Sequence, residues 1–179
     1  LGILRDPTGA ETLAEAVAAH EWDKGWKYTG MGQYGPSISP LDSLIIALGR
    51  TRKDIALAPI LAKVSQLDSR HELSHHRAVA MALETLGDPA AAKPLADLLR
   101  KPDMSGHAWT DIDVATSNIP ASDVDTSTRE CSLRELILAR ALYRCGDCDG
   151  LGEKILRQYA RDLRGHYARH AIAILGQRN

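Results

Sequence analysis

Four stretches of this sequence carry residue types whose spacing could do chemistry. Gly30-Met31-Gly32-Gln33-Tyr34-Gly35 fits G-x-G-x-x-G, the turn that cradles a dinucleotide pyrophosphate. That turn needs a buried strand before it and a helix opening inside it, so that the helix N-terminus meets the anion. Before Gly30 stands DKGWKYT, with two lysines and no β-branched apolar run, and after Gly35 the prolines at 36 and 40 prevent an immediate helix. Asp54 lies about where a ribose-binding acid would, but it falls in the turn of a helical pattern. The stretch reads as a connection whose glycines permit positive φ, and no cofactor is expected in this chain.

His71-Glu72-Leu73-Ser74-His75 fits H-E-x-x-H. On one continuous helix His71 and His75 would share a face and bind zinc, with Glu72 as general base on a zinc-bound water and His76, His166 or His170 as a third ligand. Ser74 is placed to cap the helix that follows, which would leave His71 in the preceding turn. The favoured reading is a polar junction with solvated histidines, not a zinc hydrolase. Cys145-Gly146-Asp147-Cys148 is a C-x-x-C, but Cys145 stands where the repeat below has leucine, so a small buried core residue is expected. From Gly152 onward, Lys154, Arg157, Arg161, Arg164, Arg169 and Arg178 face only Glu153 and Asp162. That run reads as a solvated face or an acidic partner's contact ahead of a nucleic-acid surface.

Composition narrows the classes. Hydrophobic residues make up 44% and charged residues 25%, aromatics only 4%, and phenylalanine is absent. Alanine and leucine, both good helix formers, dominate the apolar set. The formal net charge of −1 gives no global field for nucleic acid or an anionic membrane, and no apolar run approaches a membrane span. Three cysteines form no disulfide framework. The chain opens at Leu1 without a signal-peptide pattern, so it reads as a processed chain or a piece of a longer one, and the compartment stays open.

A repeat must position these residues. Aligned on Gly49, Gly87, Gly146 and Gly176, the positions four before are Ile45, Leu83, Leu142 and Ile172, and those eight before are Leu41, Val79, Leu138 and Ala168. Positions one and five before are also mostly apolar, which traces one helical face. Each glycine is then expected to stop a first helix (A), with a second helix (B) following. Leu57, Ile60 and Leu61 mark one such B helix, and Leu95, Leu98 and Leu99 the next. Gly87-Asp88-Pro89 supplies a stop, an N-cap and a helix-starting proline in sequence. Two stretches break the pattern, roughly 21–40 and 103–131. Both join a B helix to the next A helix, so both should lie along one edge.

The segment HRAVAMALETLGDPAAAKPLADLL (76–99) resembles the HEAT-like repeat of the phycobilisome-lyase type. The resemblance is full in this unit, partial in the others, and covers most of the chain. It implies an all-α fold, a short HEAT-like α-solenoid of antiparallel helix hairpins with two long irregular connections, as a single domain over 1–179. A narrower resemblance joins EWDKGWKYTGMGQYGPSISPLDSLIIALGRT, SHHRAVAMALE and RDLRGHYARHAIAILG to the C-terminal, non-flavin region of bacterial FAD-dependent oxidoreductases. It implies that FAD sits in a separate domain of a parent protein and that this chain is a fragment.

All three tryptophans lie in or beside the two connections. Trp22, Trp26, Tyr28, Tyr34, His107 and Trp109 are the candidate partner-binding residues, expected to form one aromatic rim. Two readings stay open for them: anchoring of the loops on the stack, or contact with a partner protein. The function expected is a non-catalytic structural or protein-interaction module. The alternatives are an independent protein-binding scaffold, a nucleic-acid-binding solenoid and, last, the zinc hydrolase.

Overall fold

The computed structural model describes residues 8–22, 38–119 and 126–177. The motif at 30–35 and three of the aromatic candidates, Trp26, Tyr28 and Tyr34, lie outside them. The described residues are helical and contain no strand. The helices are α1 (Ala10–Ala19), α2 (Pro40–Arg50), α3 (Leu57–Gln66), α4 (Leu73–Leu86), α5 (Ala92–Leu99), α6 (Ile112–Ser117), α7 (Ser127–Arg144), α8 (Leu151–Tyr159) and α9 (Gly165–Leu175). Short 3₁₀ turns, Asp54–Ala56 and Pro89–Ala91, lead into α3 and α5. Asp54 thus sits in the turn expected for it.

Local chemistry sets the ends. At α2, Ser39 Oγ accepts from the Asp42 N–H at 3.1 Å and the Asp42 carboxylate accepts from the Ser39 N–H at 2.9 Å, a closed capping box with Pro40 at the first helical position. Gly87 ends α4 in the left-handed region (φ 66), with its N–H on the Leu83 carbonyl at 2.9 Å. Asp88 then accepts from the Ala90 N–H at 2.8 Å. Gly146 (φ 100) closes α7: the Asp147 N–H donates to Leu142 at 2.9 Å and the Gly146 N–H to Tyr143 at 3.4 Å, the paired bonds of a Schellman ending.

The other two anchor glycines are not left-handed stops. Gly176 is right-handed at φ −75. Gly49 lies within α2, and a Cβ there would stand 2.6 Å from both Cα and Cβ of Ala82. It is glycine because α2 and α4 cross at that point. The described part of the long connection holds a short helix. Asp111 caps α6 by accepting from the Val114 N–H at 2.9 Å, and α7 is already under way at Ser127.

Two rows of helices pack together. α4 lies against α2 and α7, and α3 against α1 and α5. α1, α3 and α5 each also meet the A helix that follows, α2, α4 and α7, while α8 lies against α7 and α9. Ile45, Leu83 and Leu142 are wholly buried between the rows, with Ile60, Leu95, Leu138 and Leu156. Lysines tie the second row end to end. Lys63 on α3 donates to the His20 carbonyl beyond α1 at 2.6 Å, and Lys101 beyond α5 donates to the Leu67 carbonyl beyond α3 at 2.5 Å. Each cation meets the carbonyl-rich end of the preceding helix, where the helix dipole favours it. No helix among the described residues is long and apolar enough to cross a membrane.

Candidate functional site

The starts of α2 and α4, the first half of α7 and the turn before α9 carry most of the buried polar side chains. The first cluster joins α2 to α4. Asp42, held by the capping box, places its second oxygen 2.7 Å from His75 Nδ1, and neither side chain is exposed. Burial pushes the Asp42 carboxyl up, but His75, the Ser39 N–H and Ser74 outweigh it, and the group stays below the ordinary carboxylate value. The Trp22 ring covers the imidazole, with centroids 4.5 Å apart. Serine, histidine and aspartate meet here, yet not as a hydrolytic triad. Ser74 Oγ lies 3.4 Å from the same nitrogen, Nδ1, that faces Asp42. A triad needs the serine on Nε2 and the carboxylate on Nδ1.

The expected cap at Ser74 is not found. α4 begins at Leu73, its N-cap residue is Glu72 with no side-chain cap bond, and Ser74 is buried inside the first turn. His71 nevertheless lies in the preceding turn, for a different reason. Its Nδ1 sits 3.0 Å from Asp68 Oδ1, and its carbonyl accepts from Arg134 on α7 at 3.3 Å. His71 and His75 therefore do not occupy one helical face, and each directs a ring nitrogen at its own aspartate. Two of the three histidines are not solvated as expected: His75 and His76 are fully buried. Among the described residues no group of three or more histidine, cysteine or acidic side chains is arranged to hold a metal ion.

The second cluster fastens the long connection to α7 and α9. Glu135, buried on α7, accepts from the backbone N–H of Gly106 at 2.8 Å and of His107 at 2.9 Å, and from the Tyr159 hydroxyl at 2.9 Å. Asp162 accepts from the Trp109 N–H at 2.9 Å, and the Leu163 N–H donates back to the Trp109 carbonyl at 2.8 Å. Arg164 closes the cluster. It pairs with Asp162 at 2.7 Å, donates to the His107 carbonyl and to Ser132 Oγ at 2.9 Å each, and lies between the Trp109 and Tyr167 rings at 4.1 and 4.5 Å. Burial pushes the Asp162 carboxyl up, but Arg164 and two backbone N–H groups hold it below its ordinary value.

Of the candidate aromatic residues, His107 and Trp109 thus belong to one cluster and Trp22 to another. All three make contacts with the helices or with the turn before α9. Glu135, Asp162 and Arg164 were not apparent as site residues, because most of their partners, the backbone of 106–109 and the side chains of Ser132 and Tyr159, lie some 24 to 57 residues away. Only the capping-box spacing of Ser39 and Asp42 offered a local signal.

The remaining candidates divide. Cys145 is buried with its Sγ 3.5 Å from the Leu83 carbonyl, as its column suggested. Burial and then Asp88 push its thiol up to about 11, far from a nucleophilic thiolate. Within the basic C-terminal run, Arg164 is spent internally and Arg157 pairs with Glu153, while Arg178 lies outside the described residues. Lys154, Arg157 and Arg161 line an open groove of about 630 Å³ between α8 and the loop at Gly106, Ala108 and Thr110. Comparison with family models, curated proteins and solved structures gave no match.

Proposed function

We propose that this chain is a non-catalytic protein-interaction module, a short HEAT-like α-solenoid of antiparallel hairpins belonging to a FAD-dependent oxidoreductase. The observation that carries the non-catalytic reading is the inward use of its reactive side chains. Asp42, Glu135, Asp162 and Arg164 are the groups a catalyst would expose to substrate, and each is committed to a helix cap, a loop backbone or another buried side chain. Such fasteners hold connections rigidly on a stack, which suits a surface read by a partner. The two rows of helices support the solenoid arrangement. The flavoenzyme assignment rests on the sequence resemblance.

Co-purification and flavin titration test the reading together. Coexpressed with the catalytic region of such an oxidoreductase, the chain should elute with flavin absorbance, whereas alone it should give no heat on titration with FAD. Micromolar FAD binding by the isolated chain, abolished by Gly32→Val, would overturn it. Separate elution from a folded, flavin-loaded catalytic region would leave the independent scaffold, for which the open groove beside α8 offers a surface.

A further inference from the structure

The loop after α5 uses neighbouring residues in opposite ways. His107 gives its N–H to Glu135 at 2.9 Å, and its carbonyl accepts from Arg164 at 2.9 Å. Trp109 gives its N–H to Asp162 and takes the Leu163 N–H on its carbonyl. Between them, the main-chain N–H and carbonyl of Ala108 make no hydrogen bond among the described residues, and neither do those of Thr110. In an extended chain both main-chain groups of one residue point to one side and those of the next residue to the other. Residues 107 and 109 spend theirs on α7 and the turn before α9, so the main chain of Ala108 is directed away from both. Gly106, Ala108 and Thr110, the alternate positions, line the open groove beside α8.

The facing wall of that groove is cationic. Lys154 and Arg157 lie on α8, and Arg161 lies just beyond its end. Arg157 pairs with Glu153, the carboxylate in the lining. Lys154 and Arg161 are exposed and make no ion pair among the described residues. The start of α8 is already satisfied, because Asp147 accepts from the N–H groups of Gly152 at 2.8 Å and Glu153 at 2.9 Å. An anion entering the groove therefore meets the two side-chain cations and not the helix start.

We propose that the groove takes an extended acidic segment of a partner protein, which pairs its main chain with Ala108 and Thr110 and lays its carboxylates on Lys154 and Arg161. This rests on the protein-interaction reading given above and not on the flavoenzyme assignment. A free carbonyl beside a free N–H calls for a donor and an acceptor together, and a polypeptide main chain supplies both at each residue. Phosphate groups of a nucleic acid supply acceptors alone, would leave the Ala108 carbonyl unmet and would face Glu153. The inward bonds of His107 and Trp109 hold the edge in place before the segment arrives, which lowers the cost of ordering it.

Selection on the immobilised 179-residue chain from a display library of random linear peptides of about ten residues, the upper length of an ordinary strand, tests the proposal. Enriched peptides should carry aspartate or glutamate at alternate positions and should bind more weakly in high salt. Lys154→Glu with Arg161→Glu should weaken that binding by at least about tenfold. The helical signal should stay unchanged, because both side chains are exposed. The unmodified chain gives a second readout. N-methylation of one alternate set of peptide amides should abolish binding, whereas methylation of the other set should not. On binding, the amide proton signal of Ala108 should shift downfield more than those of His107 and Trp109, which are already bonded inward. Failure to enrich acidic peptides, binding indifferent to the charge reversal, or equal effects of the two methylated sets would each overturn the proposal. Tighter binding of a DNA duplex, lost in the same variant, would assign the groove to nucleic acid and overturn it too. Coelution with a flavin-loaded catalytic region that persists in the charge-reversed chain, with no acidic peptide bound, would overturn the groove assignment alone and leave the interaction reading standing.

Discussion

His76 shows how much a single buried side chain can say about acid sensitivity. It sits in the first turn of α4 with its Nδ1–H given to the Glu72 carbonyl at 2.9 Å, and Nε2 makes no hydrogen bond among the described residues. Burial drives its pKa down to about 3; the Glu72 carbonyl opposes this, and Arg134, His71 and His75 add to the lowering. The unfolded chain takes up this proton near the ordinary value of 6.5, well before the folded one does. The stability that His76 contributes is therefore fully present above about pH 6.5 and is lost progressively as pH falls toward 3. Urea unfolding midpoints measured across that window should fall with acid, and His76→Leu should flatten the dependence. An equally steep dependence in the variant would assign the acid sensitivity to other groups. The sequence marked this histidine only as a possible zinc ligand. Its burial depends on α7 packing over the start of α4, which no local spacing reveals.

At the scale of the helices, the repeat was legible because its columns are apolar side chains with a fixed period, and period survives any detail of the turns. The role of each anchor glycine was not legible, because one residue type answers three demands. Gly87 and Gly146 adopt positive φ to end their helices, Gly176 does not, and Gly49 is required by an approach from another helix. That difference has a measurable sign. Exchanging a helical glycine for alanine ordinarily stabilises by about 1 kcal/mol. At Gly49 the new methyl group would meet the Ala82 backbone, with Cα at 2.6 Å and O at 2.9 Å, so α2 and α4 would have to part. Gly49→Ala should therefore lower stability by roughly 1–3 kcal/mol, the usual cost of overpacking. Chemical denaturation of the two proteins decides it, and a variant as stable as the parent would show that the crossing yields freely.

For the whole molecule, the question is how an irregular connection is held on a helical stack. The expectation that its aromatic residues matter was legible from their placement in the sequence. Their use was not, because the partners of His107 and Trp109 come from α7 and from the start of α9. Arg164 is the common member: it reaches Asp162, Ser132, the His107 carbonyl and two rings at once. Its contacts are confined to 107–109, the first turns of α7 and the start of α9, whereas α2 and α4 are joined by the separate pair Asp42 and His75. The two fasteners should then fail independently, as sites without shared partners do. In Arg164→Ala, amide hydrogen exchange should speed up by about tenfold or more at residues 106–110 and in the first turn of α9, consistent with losing interactions worth about 1.5 kcal/mol or more. Amides in α2 and the first half of α4 should keep their parent rates. Faster exchange spread evenly over both regions would mean that the row of helices opens as one unit, and that Arg164 supports the entire stack, not this one connection.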